Sequence, residues 1–318
     1  MNSQTWFNQI KEPILWHYTS QNVLDEFLKD NNCLYATRYS ELNDSQEINF
    51  GRDVFNSAIK EFVQFKLAKM GEKRNWTDIL RHSQYADVAK WTCFISSFTT
   101  KKDMVSLWNL YAPNGGYSIG FSTEILRESL NKFSALLPKP EKINVTSLCK
   151  TEIKYQTHFD YCSYDLQKMM DNCLDFVKKS LDSIYCNRAM NDSIELAIQL
   201  VDIRENLIGT FKHRSFSDES EVRISYFGPS LFQKMQRIGE KSRVPLFSIR
   251  DAIKEVIVSP YGDSCQLYSH AEILRKKYNL DFALYQSSSP YRKEIPTTTE
   301  VKYGSFCPFY KRRQSRNS

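Results

Sequence analysis

Several polar side chains fall where the sequence passes from strand to helix or turn, and their types suit sugar or phosphate chemistry. His17 lies in Leu15-Trp16-His17-Tyr18-Thr19-Ser20, at the end of a strand and the threshold of a helix. An imidazole there can hydrogen-bond a sugar hydroxyl, Thr19 can donate or accept beside it, and Ser20 can cap the helix. A histidine satisfied inside the fold is the plainer alternative, so the case depends on partners elsewhere. Four clusters could supply them. Asn43-Asp44 with Glu47 sets two acids and an amide around one helix N-terminus, in the spacing of a capping box. Cys93-Phe94-Ile95-Ser96-Ser97 ends a strand in small hydroxyls that either line a cleft or begin a turn. Trp108 and Tyr111 stand three apart on one helical face, as a platform for a nucleobase or nicotinamide ring or as a core aromatic pair. Glu219, Glu221 and Arg223, preceded by Phe211-Lys212-His213-Arg214, are either surface salt-bridge partners or place the Glu221 carboxylate in a cleft.

The elements that would carry these groups follow from hydrophobic period. Ile14 to Thr19 reads as a strand, followed by helical spacing at Val23, Leu24, Phe27 and Leu28. Leu34 to Tyr39 is extended again, and a helix runs from about Ser45 to Met70. Trp91 to Phe98 is rich in β-formers, and Gly115-Gly116 turns into the strand Tyr117 to Phe121. Between Pro140 and Gly209 there is no glycine or proline, and Met169, Met170, Leu174, Val177, Leu181 and Ile184 recur at helical spacing. Strand character resumes at Glu221 to Tyr226, where alternation puts Glu221, Arg223 and Ser225 on one face. Val244 to Ile249, Val256 to Ser259 and Phe282 to Gln286 are further strands, with a helix around Ala271 to Tyr278.

Composition narrows the class. With 318 residues, 41% hydrophobic and 25% charged, the chain can bury a core without disulfides or metal. No apolar run reaches the roughly 18 residues of a membrane span, and the first ten residues have no signal-peptide character, so a cytoplasmic protein with no membrane partner is expected. The eight cysteines include no Cys-x-x-Cys pair and the five histidines lack metal-ligand spacing, which points to reduced thiols and no metal. A net charge of +6 is mild, and Lys311-Arg312-Arg313-Gln314-Ser315-Arg316 forms a basic tail.

Taken together, His17-Tyr18-Thr19, Asn43-Asp44 through Glu47, Cys93-Phe94-Ile95-Ser96, Trp108 through Tyr111, Ile119-Gly120-Phe121 and Phe216 through Glu219, Glu221 and Arg223 resemble the motifs of a large bacterial family of unknown function. The likeness spans about residues 14–260, and Ile95 is an extra residue before the family's serine. That family is in turn similar to the ADP-ribosyltransferases. The resemblance implies an α+β fold with a split, mixed β-sheet core and a helical insertion. Residues 1–157 and 211–290 would form the core, 158–210 the insertion and 291–318 a basic tail. It also implies NAD as substrate. His17 would hold the adenosine-side ribose, with Tyr18, Thr19, Ser96, Trp108, Tyr111 and Arg223 around the ligand. An aromatic such as Tyr35, Tyr39 or Tyr117 would stack on nicotinamide, and Glu221 would meet the nicotinamide ribose. Glu219 or Glu47 would activate the acceptor.

On this reading the protein is an NAD-dependent ADP-ribosyltransferase or NAD glycohydrolase, of the bacterial toxin or phage-defence kind, with a nucleic acid or protein acceptor. The alternative is a noncatalytic nucleotide or nucleic-acid binder, for which Arg38, Arg214, Arg223, Arg243 and the tail should converge on one face. A third reading, a phosphodiester enzyme, needs His17 and His213 within reach of one phosphate.

Overall fold

The computed structural model describes residues 10–29, 33–42, 46–70, 91–138, 141–144, 150–153, 155–186, 207–229, 236–238 and 240–289. The first strand, β1 (Ile14–Ser20), alternates its side chains between two apolar layers and runs directly into α1 (Gln21–Leu28). After β2 (Tyr35–Arg38), the long helix α2 (Gln46–Met70) precedes β3 (Trp91–Thr99), α3 (Val105–Tyr111) and β4 (Gly116–Ser122). Ser122 closes β4 and caps α4 (Thr123–Ala135), its hydroxyl accepting from Ile125 N. Then come a detached hairpin, β5 (Glu141–Asn144) with β6 (Lys150–Ile153), followed by β7 (Gln156–Tyr161) and α5 (Leu166–Cys186). The chain returns through β8 (Glu221–Pro229), β9 (Gln236–Ile238), β10 (Lys241–Pro245) and β11 (Ile253–Val258). It ends in α6 (Ser264–Lys277), capped by Asp263 and closed by Arg275, Lys276 and Lys277, and β12 (Ala283–Gln286).

Among the described residues, ten strands make one mixed sheet in which β11 and β12 are the parallel pair. The order β12-β11-β4-β1-β3-β2-β10-β9 has a branch, because β3 also pairs with β8, and β8 with β7. Helices cover both faces. Leu24, Phe27 and Leu28 of α1, Leu126 and Leu130 of α4 and Leu267, Ala271 and Leu274 of α6 pack against Leu15, Phe94, Phe98, Val222 and Ile224. On the other face Trp16 and Tyr18 meet Leu107 and Trp108 of α3. With both faces covered, β4 is buried at all but its last position.

The architecture is therefore α+β with a mixed sheet. The helical segment begins at Leu166, not at 158: Gln156–Tyr161 pairs with β8 along six positions and belongs to the sheet. Its Gln, Thr, His and Asp residues hid that role. The strand expected over Val244 to Ile249 runs only to Pro245, although Leu246 N donates to Leu34 O at 2.8 Å and Leu34 N to Phe247 O at 2.8 Å just beyond it. Cys33, Cys93, Cys162 and Cys173 are free, but Cys265, half-buried at the start of α6, is disulfide-bonded, so not every cysteine is a reduced thiol. The residues Asn43-Asp44 and the basic tail lie outside the described residues. Among the described residues no helix is long and apolar enough to cross a membrane.

The β1–β4 ladder that carries His17 tolerates no side chain at its start. A Cβ at Gly116 would lie 2.1 Å from Thr19 O and 3.0 Å from Ser20 Cα, both backbone atoms that cannot rotate away. Gly116→Ala is expected to lower stability by at least ~2 kcal/mol in urea unfolding. A change under about 0.5 kcal/mol would contradict this packing.

Candidate functional site

The site is built where the sheet forks. One edge of β3 is paired along its whole length, from Trp91 opposite Pro229 to Thr99 opposite Glu221. The other edge is shared: β2 meets it at Phe94 and Ile95, and β1 only at Thr99. Ser96, Ser97 and Phe98 have no strand partner on that side. The gap is bridged by a side chain, since His17 Nδ1 donates to Ser97 O at 2.9 Å. A carbonyl can only accept, so Nδ1 carries the proton and Nε2 keeps its lone pair while the ring is neutral. Burial lowers the imidazole pKa against the pull of the Ser97 bond, which keeps it neutral near pH 7. The ring lies between Phe27 and Phe98, with centroids 5.8 and 6.0 Å away.

Facing the fork from β8 is a buried ion network. Glu47, Lys212, Glu219, Glu221 and Arg223 are each 9% exposed or less. Arg223 donates through Nε to Glu221 Oε1 at 2.8 Å, through Nη2 to Glu221 Oε2 at 3.0 Å and to Glu47 Oε1, and through Nη1 to Gly209 O at 2.9 Å. Lys212 Nζ bridges Glu221 Oε2 at 2.6 Å and Glu219 Oε2 at 2.7 Å. Tyr111 donates to the same Glu219 oxygen at 3.2 Å. The alternating acids and base of β8 are thus buried under α2 and residues 207–212, and they are not surface salt-bridge partners. Burial works to raise the Glu221 carboxyl, but the charges and hydrogen bonds of Arg223 and Lys212 hold it down at about 2. Burial pushes Glu47 up, and Glu221 adds to that, against Arg223 and Lys212. Three carboxylates against two cations leave the network with excess negative charge.

His17, Ser97, Tyr111, Glu219 and Glu221 line one recess of about 60 Å³, with Trp16, Tyr18, Phe98, Thr99 and Leu107 as its walls. Residues 17 and 221 therefore meet across one cleft. Register parity puts Trp16, Ser97, Thr99 and Glu221 on one face of the sheet and His17 and Phe98 on the other, so they share a recess only because the sheet is open there.

Other residues expected around a ligand are placed differently. Tyr18 OH donates to Lys101 O at 3.0 Å and accepts from Met104 N at 2.9 Å, which fixes it as a wall. Thr19 is buried further along β1 and does not line the recess. Trp108 is fully buried and bonds Asp103 Oδ1 at 2.7 Å. Tyr117 is fully buried with its hydroxyl on Leu267 O, remote from the recess. Ser96 points to the α1 side, and its neighbour Ser97 takes the place expected of it. Tyr39 lines a second, smaller recess with Glu47 and Arg223, and Tyr35 lines neither. The arginines do not converge: Arg223 is buried in the network, while Arg38, opposite Phe94, and Arg243, opposite Thr37, sit on opposite faces. His213 is exposed, with Nδ1 on Ser215 N, and does not line the recess with His17. Lys212 was the residue least visible in the sequence, where it reads as part of a basic run. Its apolar neighbour Phe211 was the available signal.

Asp160 lies opposite Arg223 in register yet has no partner on either carboxylate oxygen, and burial pushes its pKa up to about 8. The folded protein then binds a proton that the unfolded chain, with an ordinary aspartate, releases near pH 4. Stability from this group is full below pH 4 and is lost as pH rises toward 8. Asp160→Asn should remove that decline in a series of urea titrations. An unchanged pH slope would contradict the assignment.

No curated protein and no solved structure matches the chain. Residues 107–224, from the wall of the recess through Glu219, Glu221 and Arg223, match the model of a family described as a protein of unknown function, DUF2971.

Proposed function

We propose that the protein consumes NAD, as an ADP-ribosyltransferase or an NAD glycohydrolase, on a split sheet of the ADP-ribosyltransferase kind. The observation that carries this reading is one recess at the sheet fork, shared by a neutral His17 from β1, by Glu219 from the turn that precedes β8 and by Glu221 at the first position of β8. Cleaving the bond between nicotinamide and ribose builds positive charge on the sugar, and fixed carboxylates in a desolvated site stabilise that charge. Nicotinamide leaves as a neutral ring from a cationic one, so no general acid is needed. A histidine that only accepts a ribose hydroxyl through Nε2 is then sufficient for positioning. The excess negative charge of the network suits both the pyridinium ring and the cationic sugar.

The recess is far below the ~300 Å³ of a site that encloses a whole ligand. It receives one end of NAD, and the remainder lies outside the fork. Of the rings at its edge, Tyr111 is the most open to solvent, at 37% exposure, and it takes the stacking role. In the transferase the acceptor is a protein or nucleic-acid group, and in the glycohydrolase it is water. Loss of NAD would harm the cell that holds the enzyme, which fits a toxin or phage-defence effector.

Full-length protein incubated with NAD should release nicotinamide, measured chromatographically, alone or with protein or RNA added. His17→Ala should slow release about tenfold to a hundredfold, the worth of one positioning hydrogen bond to a polarised group. NAD bound without nicotinamide release would instead indicate a noncatalytic binder, and no binding at all would end the proposal.

A further inference from the structure

We infer that Glu219 is the carboxylate that meets the reacting sugar, that Glu221 is its fixed support, and that Lys212 is the positioning residue joining them. This rests on the NAD-consuming reading and assigns roles within it. Glu221 is the acid whose place in the strand draws attention, but both its oxygens are committed. Oε1 holds Arg223 Nε at 2.8 Å, and Oε2 holds Lys212 Nζ at 2.6 Å and Arg223 Nη2 at 3.0 Å. Turning Glu221 toward a ligand would strip a buried guanidinium and a buried ammonium together, and a buried charge that loses its partner is strongly destabilising.

Glu219 is differently placed. Its Oε2 accepts from both Lys212 and Tyr111, and Oε1 is the oxygen that none of these bonds uses. Its side chain is 12% exposed against 5% for Glu221, and both residues line the recess. Its backbone is held: Thr99 Oγ1 donates to Glu219 O at 2.6 Å, and Ser220 continues in the left-handed conformation at φ 43°. Lys212 is anchored by its own backbone on Ser163 O at 3.0 Å and lies over the Phe216 ring. One ammonium thus sets the angle at which Glu219 presents Oε1.

In the reaction, the bond between ribose C1′ and nicotinamide N1 breaks with its electron pair going to N1. Glu219 Oε1 faces the cationic C1′ without bonding to it. The acceptor, Nu–H, then forms the C1′–Nu bond, and its proton passes to Glu219 Oε1 and on to solvent.

The test compares Glu219→Gln, Glu221→Gln, Lys212→Met and Lys212→Arg in the full chain, reading kcat and KM for nicotinamide release, melting temperature, and binding of the N-methylnicotinamide cation as a probe. Glu219→Gln should keep the melting temperature, raise KM by about tenfold and lose kcat by roughly 10²–10³, the cost of one electrostatic stabiliser. It should also weaken the probe at least tenfold. Glu221→Gln should lower the melting temperature, with a smaller loss of kcat per folded molecule. Lys212→Met should lower kcat more than it raises KM, and Lys212→Arg should restore most of it. The assignment is overturned if Glu219→Gln turns over within threefold of the natural protein, or if Glu221→Gln melts normally and is inactive. If the natural protein binds the probe through Glu219 but releases no nicotinamide, only the NAD reading fails; if it does neither, both fail.

Discussion

A guanidinium at 2% exposure has to be met by acceptors on every side, and Arg223 is met by Glu221 on its own strand, Glu47 from α2 and Gly209 O from the chain leading to Lys212. That requirement organises the face of the sheet on which the candidate site lies. It draws the start of α2 onto β8, although the two are 176 positions apart in sequence. It sets residues 207–212 across the end of the strand, where Gly51 lets α2 approach Ile208 so closely that a Cβ would lie 3.1 Å from the isoleucine Cβ. Lys212 then falls within reach of both carboxylates. Substituting Arg223 or Glu221 alone would leave a charge buried without its partner, so these two act as one unit.

The fork is the second constraint, and it converts a structural network into a place where a ligand can sit. A continuous β1–β3 ladder would have sealed the space between His17 and the carboxylates. Here β1 leaves β3 after a single register pair, and an imidazole takes over the bond that a strand would have supplied to Ser97. The consequence is a low-dielectric pocket with a neutral acceptor on one side and surplus negative charge on the other. In such a site fixed charges act more strongly than in water and need no rearrangement during reaction.

Much of the framework could be read in the sequence. The strand bearing His17, the helix after it, β3 and β8 follow from hydrophobic period and glycine placement, because each packs an apolar stripe on the same core, and α2 follows from its helical period. The site was legible in outline, with His17, Tyr111, Glu219 and Glu221 at one recess. Its character was not. Acid-x-acid-x-base on a strand looks the same whether the face is wet or covered, and the cover comes from a helix far away in the chain. Trp108 and Tyr117 illustrate the same limit: a large ring on a helix or strand face serves equally as platform or core, and here both are fully buried with hydrogen-bonded polar tips. The edge strand β7 was obscured by its polar residues, which pair through backbone atoms whatever their side chains.

The most direct measurement is a structure of the protein with a non-cleavable NAD analogue bound. The nicotinamide ribose is expected in the fork, with a ribose hydroxyl ~2.6–3.2 Å from His17 Nε2 and C1′ facing Glu219 Oε1, and with the Glu221–Arg223 pair undisturbed. An analogue bound elsewhere, or a Glu221 carboxylate turned off Arg223 to meet the sugar, would contradict this placement.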